Sequence, residues 1–152
     1  MAIKLTDILF EIVDLYKPEE LREYGIEYSI ISESKRRFTV NIKYNNWYYQ
    51  LLILPMFNPK RLSINFGDTN SEYKQLNLSK LLNAPHSNKI LACIFGLLRY
   101  FVDKYDINSF EYGADGTTRA RIYEYYLTKH FPDFINSIET WNNHKIYVWT
   151  KK

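Results

Sequence analysis

Residues 87–105 read SNKILACIFGLLRYFVDKY, and here the chain changes its period. Ile90, Leu91, Ile94, Phe95, Leu98, Phe101, Val102 and Tyr105 recur at spacings of three and four. That spacing collects them on one side of a helix, with Ser87 placed to cap it. Ile94, Leu98 and Phe101 form the centre of the stripe and are expected in the core. The stretch before this helix repeats at two. Tyr28, Ile30 and Ser32 mark a first strand. Phe38, Val40, Ile42 and Tyr44 alternate with Thr39, Asn41 and Lys43, the pattern of a half-buried strand. Asn45-Asn46 is a hairpin turn signal. Residues 47–54 then form a continuous apolar strand stopped by Pro55. Asn58-Pro59 turns the chain again. Leu62, Ile64 and Phe66 alternate with Ser63 and Asn65 until Gly67-Asp68. The short connections make these strands an antiparallel meander.

On the other side of the helix, residues 107–113 read as a strand with Phe110 and Tyr112 on one face. A strand reached through a long helix is expected to run parallel to its neighbour, so it belongs beside the meander. Asp115-Gly116-Thr117-Thr118 opens another helix, which turns Ile122, Tyr126 and Leu127 inward and ends before Pro132. Residues 145–150 form the last strand. At the other end of the chain, Thr6 caps a helix from Asp7 whose stripe is Leu5, Leu9, Ile12 and Tyr16, with Ile8 and Leu15 beside it. Lys17-Pro18 ends it, because the residue before proline avoids helical backbone. Pro18-Glu19-Glu20 starts a second short helix that Gly25 closes. The expectation is one α/β (α+β) domain over residues 1–152: a mixed sheet with an antiparallel N-terminal meander and flanking helices.

Composition suits that expectation. The 152 residues are 46% hydrophobic, enough for a core in one domain. Aromatics reach 17%, with 14 Tyr and 9 Phe, as broad sheet faces or an interaction surface would require. An AT-rich genome accounts for the same bias. Cys93 is the single cysteine, so no disulfide can form within the chain and a reducing, cytoplasmic setting is expected. Its apolar neighbours predict a buried, inert thiol. Asp7, Glu11 and Asp14 interrupt what would be the apolar stretch of a signal peptide. No apolar run is long enough to span a membrane.

The net charge is +3, unevenly spread. Residues 1–34 carry Lys4, Lys17 and Arg22 against eight acidic side chains. Residues 35–61 carry Lys35, Arg36, Arg37, Lys43, Lys60 and Arg61 and no acid. Pairing within the chain and an anionic partner both fit that asymmetry.

From residue 62 to 150 the order of elements resembles the GNAT acyltransferase fold. A central helix leads to a strand, then to a helix with an alanine and a tyrosine near its start, then to a final strand. Thr117-Thr118-Arg119-Ala120-Arg121-Ile122-Tyr123 resembles that helix opening. The same stretch is similar to a group of small phage proteins, with Arg119, Ile122 and Tyr123 matching their Arg-x-x-Leu/Ile-Tyr helix. The GNAT resemblance implies that Tyr123 would be the general acid protonating a CoA thiolate. It also implies that the central helix's N-terminus, at His86, Ser87, Asn88 and Lys89, would hold the CoA pyrophosphate. The chain departs from the family there. The loop Asn83-Ala84-Pro85-His86-Ser87-Asn88 has no glycine, and Pro85 has no N–H. Tyr123 reads equally as one aromatic of a sheet-packing cluster with Tyr125 and Tyr126.

Other chemistry is sparse. His86, His130, His144 and Cys93 show no metal-ligand spacing, so no metal is expected. Asp68 and Glu72 could supply a base or be solvated acids. Lys35-Arg36-Arg37 with Trp47, Tyr48 and Tyr49 combines charge and stacking faces, as single-strand nucleic-acid binders do. It reads as readily as a solvated turn beside core aromatics. The leading expectation is a non-catalytic binding or accessory protein on a GNAT-like scaffold, without cofactor, contacting a host or virion protein. An acetyl-CoA-dependent N-acyltransferase is the first alternative. A nucleic-acid binder using residues 35–61 is the second.

Overall fold

A computed structural model describes residues 14–56, 61–69, 81, 83–113 and 117–152. Seven strands form one sheet in the order β1-β2-β3-β4-β5-β7-β6. They are β1 (Ile26–Ser34), β2 (Arg37–Tyr44), β3 (Trp47–Pro55), β4 (Leu62–Asp68), β5 (Ser109–Gly113), β6 (Phe134–Trp141) and β7 (His144–Lys151). Two α-helices are described, α1 (Ser87–Tyr105) and α2 (Thr117–His130), with a 3₁₀-helix at Pro18–Tyr24. The fold is mixed α+β, as the change of period predicts.

The meander is antiparallel throughout, with Phe38 opposite Ile53 and Ile53 opposite Ile64. Those three side chains face α1, whose Phe101 ring stacks on Phe38 at 4.9 Å. The predicted core stripe of α1 is buried from Ile90 to Val102, including Ile94, Leu98 and Phe101, with Tyr105 half-buried, and Cys93 is buried too. β5 runs parallel to β4, as the helical crossover predicts, and β7 lies antiparallel on its other side. Tyr112 of β5 stacks on Tyr123 of α2, and Phe110 packs on Phe131 just past the end of that helix.

Three local expectations are corrected. Leu15 and Tyr16 are not helical; Tyr16 instead donates its N–H to the Ala92 carbonyl of α1 at 3.2 Å. A Cβ on Gly96 would sit 1.9 Å from the Tyr16 carbonyl oxygen, so this strap can lie on the helix only at a glycine. The short helix expected after Pro18 is present as a 3₁₀-helix, closed by Gly25 at φ 76 as expected. Ser87 does not cap α1. His86 occupies the cap position without a side-chain bond to the helix, and Ser87 is the first helical residue. Residues 134–141, not read as a strand, form β6, joined to β7 through Asn142 and Asn143 at φ 47 and 66. The expectations for residues 6–12, Asn58-Pro59, Glu72 and Asp115-Gly116 lie outside the described residues.

Candidate functional site

The sheet has a seam between β4 and β5. Their register pairs only Leu62 with Phe110 and Ser63 with Glu111, although β4 continues to Asp68. Met56 bonds to the Arg61 carbonyl and Thr69 to the Tyr48 carbonyl. Odd-numbered residues of β4 therefore bond to β3, and even-numbered ones turn their backbone groups toward β5. From the Ile64 carbonyl onward those groups lose their strand partner. Tyr123 fills the gap. Its hydroxyl donates to the Ile64 carbonyl at 3.4 Å, and its ring stacks on Tyr112 at 3.9 Å and leans on Phe66 at 5.0 Å. The residue is 0% exposed, and burial pushes its phenol well above the ordinary range. A proton held there is difficult to release.

The second cluster lies where α1 begins. His86 is surrounded by the rings of Tyr44, Trp47 and Tyr49, at 4.8, 5.3 and 5.8 Å between centroids. Its Nε2 is hydrogen-bonded to the Tyr49 hydroxyl. Burial, with the nearby Lys89 ammonium, lowers the His86 pKa, so its imidazole is neutral at pH 7. Asp68 lies opposite Tyr49 in the β3–β4 register and is only 2% exposed. Burial first, and Asp68 second, raise the Tyr49 phenol. Lys89 reaches back over the Tyr44 ring, 4.8 Å from its centroid, and donates to the Tyr24 carbonyl and the Tyr44 hydroxyl at 3.3 Å each. The four residues of the predicted anion site, His86 to Lys89, are thus together at one helix end. Two of them already hold the meander to that end.

Two of the entry loop's backbone donors are spent within it. The Ala84 N–H bonds to the Leu81 carbonyl, the Ser87 N–H bonds to the Ala84 carbonyl, and Pro85 has none. Ser87 is itself buried. What remains is the partial positive charge of the helix end beside Lys89, an attraction for anions without a built cradle.

The basic segment is divided. Lys35 and Arg36 form the β1–β2 turn and Arg37 begins β2, and all three are exposed. Trp47 and Tyr48 begin β3 at the opposite end of that strand pair, facing Tyr44 and Lys43. A strand of this length spans roughly 20 Å, so Lys35, Arg36 and Arg37 do not meet those rings; of the segment's cations it is Lys43 that lies over Tyr48, 5.8 Å from its centroid. Tyr49 is buried and offers no face. Arg61 turns to acids within the chain, 2.6 Å from Glu139 and 3.9 Å from Glu111.

Sequence reading passed over Glu111. It is 6% exposed and lies on the sheet face away from α2, because it alternates with Phe110 and Tyr112. Burial raises its pKa against the opposing pull of Arg61. One acid within an apolar strand was the available signal. No group of three or more His, Cys, Asp or Glu side chains among the described residues could hold a metal ion. Among the described residues no helix is long and apolar enough to cross a membrane. Comparison with family models, with curated proteins and with solved structures gives no match.

Proposed function

We propose that this chain is a binding protein on a GNAT-like scaffold that does not transfer acyl groups. The central helix leading into a strand parallel to the meander, then a helix and a closing antiparallel pair, supports the scaffold reading. One observation carries the loss of catalysis. Tyr123, the residue the resemblance makes the acid, is sealed in the β4–β5 seam with its hydroxyl on the Ile64 carbonyl. The self-bonded entry loop supports the same conclusion. The role left is contact with another protein, and the phage resemblance of Arg119, Ile122 and Tyr123 makes a host or virion protein the partner class.

The acyltransferase reading stays second because α1 does present Lys89 and a helix dipole at the predicted pyrophosphate position. Isothermal titration with acetyl-CoA separates the two. No heat of binding and no acetyl transfer to amine acceptors is the expected result. Micromolar binding that survives Tyr123→Phe, with turnover that Tyr123→Phe abolishes, makes the protein an acyltransferase instead. Nucleic-acid binding through Lys35, Arg36 and Arg37 is third, since the stacking faces lie at the far end of their strands.

A further inference from the structure

β6 ends the sheet, and among the described residues no strand pairs with its outer side. It carries three large apolar side chains in solvent: Ile135 at 59% exposed, Ile138 at 54% and Trp141 at 64%. Glu139 is its only charged residue, and it contains no lysine, proline or register shift. Those are the features that ordinarily keep an edge from pairing. The other edge, β1, has them: a register shift between Ile30 and Ser32, and the acids Glu27 and Glu33.

The backbone of β6 points in known directions. The Lys152 N–H bonds to the Asp133 carbonyl, and the tight Asn142-Asn143 turn makes Trp141 and His144 a bonded pair. Odd-numbered residues of β6 therefore bond to β7. Asn136, Ile138 and Thr140 turn their N–H and C=O groups outward. An antiparallel strand added here must bring its own outward residues opposite these.

We propose that β6 pairs with β6 of a second copy of this chain, antiparallel and with the twofold axis at Ile138. In that register Ile138 faces the partner's Ile138, and each exchanges both backbone bonds with the other. Asn136 and Thr140 exchange theirs with the partner's Thr140 and Asn136. On the opposite face Ile135 meets the partner's Trp141, and Trp141 the partner's Ile135, at non-hydrogen-bonded positions where side chains come closest. Each exposed apolar side chain of the strand thus finds an apolar one. Glu139 faces the partner's Ser137 and keeps its own Arg61. Neighbouring registers fail: an axis at Glu139 sets two carboxylates against each other, and an axis at Ser137 or Asn136 carries Trp141 past the start of the partner's strand. Self-complementarity in one register is what an isologous contact requires, and it identifies the occupant as a second copy. The two sheets become one, and two edges vanish.

Sedimentation velocity over a dilution series is the test. The wild-type protein should move from monomer to dimer by a concentration on the order of 100 μM, where a micromolar Kd suffices. Ile138→Lys places like charges on the axis and should stay monomeric throughout, with its circular dichroism and melting curve at low concentration unchanged. Ile138→Cys should form an intermolecular disulfide on mild oxidation, since Cα atoms of a bonded pair lie about 5.5 Å apart, within disulfide range. Cys93 is buried and will not compete. Ser137→Cys, which faces glutamate in this register, should crosslink at least tenfold more slowly. A wild type that remains monomeric, a dimer that survives Ile138→Lys, or equal crosslinking by the two cysteine variants overturns the proposal.

Discussion

Between β4 and β5 the ladder of backbone bonds stops after Ser63 and Glu111, and at β6 it stops because no further strand follows among the described residues. The two ends of pairing are finished differently. At the seam the freed Ile64 carbonyl receives the Tyr123 hydroxyl, and Tyr112, Phe66 and Phe95 close around the Tyr123 ring. At the edge the side chains are as apolar, yet Ile135, Ile138 and Trp141 stay in solvent. The seam is therefore a finished piece of core, and the edge is an unfinished one. Under the proposed reading as a binding protein, the plugged seam leaves partners to be met elsewhere, and the β6 edge supplies exposed apolar area for that contact.

The largest expected effect tests that contrast directly. Tyr123→Ala should destabilise the monomer by about 3–5 kcal/mol, the usual range for removing a buried aromatic side chain. Tyr123→Phe should cost about 1 kcal/mol, the value of one hydrogen bond with the ring left in place. Ile138→Ala at low concentration should change stability by less than about 0.5 kcal/mol, because the side chain already faces water. Urea unfolding of the three variants gives the comparison. A seam no costlier to empty than the edge would mean that Tyr123 does not fill a core.

Next in size is Gly96→Ala. The added methyl group meets the Tyr16 carbonyl oxygen, so the strap must lift off α1 and lose the Tyr16–Ala92 bond. A loss of roughly 1–3 kcal/mol is expected, in the range of overpacked sites. An alanine that stabilises, as helix propensity alone predicts, would show that the strap leaves the helix at no cost.

The contrast between seam and edge also explains what was legible in the sequence. The meander and α1 could be read because each buries one face, so hydrophobicity alternates at two or recurs at three and four. β6 could not. Both of its faces are wet along most of its length, and Ile135, Ile138 and Trp141 fall three apart, a spacing that does not read as a strand. Only the Asn142-Asn143 turn marked the hairpin. At the candidate site, position was legible and partners were not. His86 to Lys89 do open the central helix, but the pairing of His86 with Tyr49 joins residues 37 apart and depends on the β3–β4 register. The Trp47–Tyr49 run lies near the basic turn in sequence and far from it in space, because antiparallel strands carry their two ends to opposite rims of the sheet.

Acid should weaken the fold by a smaller amount. Burial lowers the pKa of both His86 and His130 in the folded chain. Above the ordinary imidazole value of about 6.5 both states hold these rings neutral, and stability is insensitive to them. Below it the unfolded chain takes up protons that the folded chain resists. Stability then falls with decreasing pH until the folded pKa is reached, by at most about 1.4 kcal/mol per pH unit for each ring. Urea midpoints between pH 7.5 and 5.5 should decline, and His86→Gln should flatten part of the decline. A flat profile in the wild type would place both imidazoles in water.

The smallest effect is expected at the β1–β2 turn. Lys35, Arg36 and Arg37 are exposed, and exposed charges contribute within about 1 kcal/mol. Replacing all three with alanine should leave the urea midpoint nearly unchanged, because nothing in the seam depends on them. Toward an anionic partner the geometry opposes nucleic acid: a single-strand binder needs stacking faces along its charged path, and the nearest exposed ring of the predicted set, Tyr48, is at the other rim. Gel shifts with single- and double-stranded oligonucleotides at two salt concentrations should show no complex at low micromolar protein. If a complex forms, weakens steeply with salt as counterion release requires and disappears in the triple variant, then the turn is the functional surface. The contrast would have to be redrawn with three cations at one rim, rather than three apolar side chains on β6, as the place where this chain meets its partner.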